Sequence, residues 1–131
     1  MDRDPLSVAR RARHLRFHRM VQRVSNTLPA QVQALLNNVA IVVQDEPTDQ
    51  QRSELSNEAW DIFGLYQGVP MIERGGHGPM LPDQITLFAG PLSRHTRNKV
   101  ELEEQIRVTL LHEIGHHLGF DEAGVERLGL G

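Results

Sequence analysis

His112-Glu113-Ile114-Gly115-His116-His117-Leu118-Gly119-Phe120-Asp121-Glu122 is the stretch that decides how this chain is read. It closes the longest helical pattern in the sequence, Asn98 to Leu118, whose apolar anchors are Val100, Ile106, Leu110, Leu111, Ile114 and Leu118. Four helical residues turn through about 400°, so His112 and His116 project from one face, one turn apart. Glu113 stands beside the first of them, at the edge of the same face. Gly119 is placed to end the helix as its C′ residue, and two carboxylates, Asp121 and Glu122, follow.

Two imidazoles so spaced can grip one zinc ion, while the adjacent glutamate reaches a water without ligating the metal. A working zinc site takes a third protein ligand and leaves one position open. A sharp turn at Gly119 can swing Asp121 or Glu122 back to supply it. His117 lies about 140° round the helix from His112, so it is expected to pack or to support the site from behind.

Working back from the motif, Ile85–Phe88 reads as a strand ended by Gly90-Pro91, and as an edge that can align an extended peptide. Residues 68–82 are rich in Gly and Pro and read as a long irregular loop. Ile62–Tyr66 reads as another strand, with Gly64 as a candidate bulge. Residues 48–58 read as a polar loop with a helical turn. Val39–Val43 is an uninterrupted, mostly β-branched run and is expected to be a buried central strand. Upstream, Phe17, Met20, Val21, Val24 and Leu28 recur at helical spacing. They predict a helix from about Pro5 to Ser25, capped by Asp4 and stopped near Asn26 and Pro29, with a short helix in 29–36.

The 131 residues suit one domain, 39% of them apolar and 24% charged. That balance is typical of folded globular chains. No apolar run approaches the roughly 18–20 residues that span a bilayer, so no membrane partner is expected. The absence of cysteine excludes thiolate ligands and disulfides and leaves His and carboxylates for any metal. The first five residues lack the apolar core of a secretory signal, so the expected location is cytoplasmic.

Charge is unevenly spread. Residues 1–23 carry seven Arg against Asp2 and Asp4, whereas the rest is acidic, and the whole chain stands at -3. The basic helix has one aromatic residue, Phe17, on its apolar face and no set for base stacking, which argues against nucleic acid. The expected role of its arginines is a solvated face that complements the acidic body. His14, His18, His77 and His95 are expected at the surface. Glu101, Glu103 and Glu104 are expected near a helix N-terminus, where the dipole favours negative charge.

The motif segment resembles the small single-domain zincin-like metallopeptidases of bacteria, whose pattern is H-E-x-x-H-x-x-G-x-x-D. Similar characteristic stretches occur at Asn38–Pro47, Gly64–Pro70 and Leu81–Phe88, so the resemblance covers most of the chain. It implies a single α+β domain over 1–131, with a small mixed sheet packed on helices that include the motif helix. It implies a zinc-dependent peptidase acting on a peptide or protein, with His112 and His116 as ligands and Glu113 as general base to a zinc-activated water. The family's third ligand falls by count on Glu122, a Glu where the pattern has Asp, with Asp121 the rival. No Met follows the motif. A methionine beneath the metal would come from Met71 or Met80. Tyr66, the sole tyrosine, is the one candidate for steadying an oxyanion. The alternative expectations are hydrolysis of a non-peptide amide, and a weak or inactive zincin-like scaffold that works through its basic helix.

Overall fold

The structure is a computed structural model that describes the backbone of residues 5–55, 62–68 and 82–117, and the side chains of 7–53, 62–68 and 82–115. Its elements run α1 (Pro5–Asn26), α2 (Ala30–Leu36), β1 (Val39–Gln44), α3 (Asp49–Leu55), β2 (Gly64–Gln67), β3 (Asp83–Phe88), α4 (Ala89–Arg94) and α5 (Lys99–His117). The strands form one mixed sheet in the order β1-β3-β2. β1 lies parallel to β3, and β2 antiparallel to it. This is the small α+β architecture expected.

The order of the strands corrects two expectations. Ile85–Phe88 is not an edge. β3 is bonded on both sides, and Ile85, Thr86, Leu87 and Phe88 are almost wholly buried. Val39–Val43 is not central among the described strands. β1 borders the described sheet, and its residues alternate: Val43 is buried while Val42 is 37% exposed. An unbroken apolar run does not say whether one or both faces are covered; here the covered face is the one carrying Val39, Ile41 and Val43.

Pairing register shows which side chains share that face. Ile41 lies opposite Ile85, and Tyr66 opposite Ile85 on the other flank; Val43 and Gly64 both face Leu87. Helices α1 and α5 pack on it. From α1 come Phe17, Val21 and Val24, with Leu28 just beyond its end, and from α5 Ile106, Leu110, Leu111 and Ile114, all buried in one cluster with Ile85 and Leu87. Val100, expected as an anchor of α5, is instead 77% exposed, and Leu102 in the same turn packs against the core.

Gly64 pairs in regular register with Leu87, so it forms no bulge. Its role is clearance. A Cβ there would come within 2.8 Å of Thr109 Cγ2 and 3.2 Å of the Thr86 carbonyl oxygen. Helix α5 therefore sits on β2 more closely than a side chain permits.

The helices start and stop on local chemistry. Asn98 Oδ1 accepts from Glu101 N at 2.9 Å, and the Glu101 carboxylate accepts from Arg97 N at 3.3 Å. Together they cap the start of α5. Thr48 and Gln51 cap α3 reciprocally, at 3.1 and 2.8 Å. Gln33 Nε2 donates to the carbonyls of Asn26 and Leu28, closing the end of α1 onto α2. Helix α4, where the sequence predicts only the end of a strand, follows β3 directly. Pro91 fits its first turn, where an N–H is not required.

Truncating Leu110 to Ala removes a fully buried anchor between α5 and the sheet. The change is expected to cost about 2–5 kcal/mol. Val100→Ala is expected to change stability by less than about 0.5 kcal/mol. Urea unfolding followed by circular dichroism measures both; equal effects would contradict this packing.

Candidate metal centre

Helix α5 runs unbroken through the motif to His117, so one rigid element carries His112, Glu113 and His116. Its sheet-facing stripe is Ile106, Leu110 and Ile114. Stepping 100° per residue, positions 112 and 116 fall on the far side from this stripe, and position 113 falls between the two. Exposure agrees along the motif from His112, which is exposed, through half-buried Glu113 to buried Ile114. The buried stripe therefore turns His112 outward.

Thr109 borders that face, just before the motif. Its hydroxyl donates to the Gln105 carbonyl at 2.7 Å, and its methyl group meets Gly64. β2 thus lies against the flank of the helix that carries the motif. The close approach at Gly64 is what brings it there.

The side chain of His116 and the whole of Gly119, Asp121 and Glu122 lie outside the described residues, as do Met71, Met80, His77, Asp4 and Leu118. The donors given by sequence and helix are two imidazoles one turn apart, with carboxylates five and six residues on from His116. Nitrogen and oxygen donors of this kind suit zinc. Among the described residues, no group of three or more His, Asp or Glu side chains forms a separate metal cluster.

Tyr66 is committed elsewhere. It is 9% exposed, and its hydroxyl donates to Asp83 Oδ2 at 2.6 Å. Burial, then the hydrogen bond and charge of Asp83, push its pKa up to about 12. The pairing ties the end of β2 to the start of β3, and it takes the proton that an oxyanion would need. No local pattern signals this pair, since 17 residues separate the two partners.

Of the other histidines, His95 is exposed and stacks edge-on against Phe63, ring centroids 5.3 Å apart. His14 and His18 are half-buried rather than open, each lining a groove beside α1. The acidic residues of α5 are placed as expected near its start. Glu103 meets Arg23 at 3.6 Å and Glu104 meets Arg107 at 3.2 Å. Both pairs lie at the surface, where such contacts contribute little. No described helix is long and apolar enough to cross a membrane.

A family model for zincin-like metallopeptidases matches residues 36–131, most of the chain and all of the motif. No curated protein matches it.

The raised pKa of Tyr66 favours its neutral form in the fold. Its contribution to stability is therefore complete below the unfolded value near 10 and is lost as pH rises from about 10 to about 12. As the one tyrosine in the chain, it reports this without overlap. Ultraviolet titration is expected to show little tyrosinate in the folded protein at a pH where the urea-unfolded chain is mostly ionised, and Asp83→Asn is expected to narrow the gap. Coincident curves would contradict the Tyr66–Asp83 bond.

Proposed function

The chain belongs to the zincin-like metallopeptidase family, and from that premise we propose that it hydrolyses peptide bonds with one zinc ion held by His112, His116 and Glu122. Asp121 is the rival third ligand. The observation that carries the reading is the motif's place on α5: both histidine positions share the face turned away from the core, with Glu113 at its edge. Bound there, zinc supplies Lewis acidity toward a carbonyl oxygen and toward water.

The chain's own residues supply the rest. Glu113, half-buried beside the ligand face, takes a proton from the attacking water and delivers it to the leaving amine. Its position lies between the packed stripe and His112, at the edge of that face. A carboxylate as third ligand leaves less positive charge on the metal than a third imidazole would. β3 is paired on both sides, so alignment of an extended substrate falls to β2, which flanks Thr109. Tyr66, already donating to Asp83, is not assigned an oxyanion role. The absence of cysteine is compatible with a reducing cytoplasm as the site of action.

Glu113→Gln separates chemistry from metal binding. Turnover of a mixed peptide library, read by mass spectrometry, is expected to fall by about 10²–10⁴ while zinc content stays at the wild-type level. Unchanged turnover would remove Glu113 from the mechanism. Cleavage of non-peptide amides alone would change the substrate class.

A further inference from the structure

The core-facing stripe of α1 changes character partway along the helix. Seven-residue steps back from Val24, through Phe17, reach Arg10; from Val21 they reach His14, and from Met20 they reach Arg13. The positions that bury apolar side chains in the second half thus carry cationic or titratable groups in the first. There α1 overhangs α4 and the turn after β1, enclosing a cleft of about 810 Å³. That volume lies within the range of ligand sites, roughly 300–1,000 Å³.

One wall is cationic, with Arg10, Arg13, Arg16, Arg19 and Arg23 from α1 and Lys99 from the start of α5. Phe17, Met20, Ala89 and Leu102 add apolar surface, and Asp45 and Glu46 stand opposite. Glu46 is engaged with Arg94 and, at 3.9 Å, with Arg52, both outside the cleft lining. Arg10, Arg13, Arg16 and Arg19 make no ion pair with any carboxylate among the described residues. All four are exposed, as expected of a solvated face, while Arg23 alone of the cleft's α1 arginines meets a described carboxylate, Glu103. The whole of α1 also lies outside the matched residues 36–131, so the family match leaves this wall of the cleft unaccounted for.

We propose that the cleft between α1, α4 and the start of α5 binds an acidic stretch of a peptide or protein. Guanidinium forks match carboxylates two bonds at a time. The apolar surface suits aliphatic side chains between the acidic ones. Asp45 and Glu46 can accept from peptide N–H groups, which a phosphodiester backbone lacks, and among the described residues no exposed aromatic lines the cleft as a base-stacking platform. Leu102 precedes His112 by ten helical residues, about 15 Å, which an extended peptide of about five residues spans. The inference rests on the peptidase reading and deepens it: substrates would carry an acidic stretch set apart from the scissile bond.

The test uses the full chain with Glu113→Gln, so that binding is read without turnover. The probe is a fluorescein-labelled peptide alternating Glu and Leu, followed by anisotropy. Expected is saturable binding that weakens with salt and falls at least about tenfold in Arg13→Glu/Arg16→Glu, with circular dichroism unchanged. Arg13→Gln/Arg16→Gln, a milder change, is expected to lie between. No binding, or equal binding by the charge-reversed protein, overturns the proposal. So does tighter binding of an oligothymidylate or of phosphatidylglycerol vesicles, which would assign the cleft to nucleic acid or membrane. On the active protein, removing the acidic stretch from a cleaved peptide is expected to raise KM about tenfold with kcat unchanged. Cleavage indifferent to the stretch sinks the cleft as a substrate site, whereas binding without any cleavage sinks only the peptidase reading.

Discussion

The roll of α5 about its own axis governs the candidate site, and a buried stripe sets it. Ile106, Leu110 and Ile114 are each 2% exposed or less against the sheet. Rotating the helix by one residue would put Arg107, or else Glu113, where a close-packed anchor belongs. The contact of Gly64 with Thr109 adds a second restraint from the side. With the roll set, positions 112 and 116 lie on the outward face and Glu113 along the boundary. An ordinary hydrophobic core thus places the two histidine positions without any special device.

The same frame explains how so small a chain accommodates a site. β3 is covered on both faces and paired on both edges, giving the sheet a rigid centre that α1 and α5 share. The polar groups at the margins are satisfied locally: Asn98 with Glu101, Thr48 with Gln51, Tyr66 with Asp83. These bonds hold the starts of helices and the ends of strands, away from the outward face of α5 and the cleft beside α1.

Much of this is legible in the sequence, for reasons that can be named. Helical period places α1 and α5, because long amphipathic patterns report their own type, and H-E-x-x-H is informative because it is a spacing within one helix. Strand order is not legible. A run such as Val39–Val43 is equally apolar at an edge or at a centre, and only long-range pairing decides which. The solvated face of the basic helix is legible from its period, but its individual pairings are not, because a charge count does not say which carboxylates come within reach: Arg23 meets Glu103. Arg10, Arg13, Arg16 and Arg19 find none among the described residues. Gly64 reads as a bulge in sequence, because the helix that presses on it is distant in the chain, at Thr109.

Ligation of one zinc ion by His112 and His116 underlies every functional assignment made for this chain. Zinc K-edge absorption on the purified, reconstituted protein tests it most directly. Expected is one zinc per chain, with two imidazole nitrogens at roughly 2.0–2.1 Å and the remaining shell oxygen, and loss of that signature in His116→Ala. Substoichiometric zinc, or a shell that keeps both imidazoles in the variant, would contradict it.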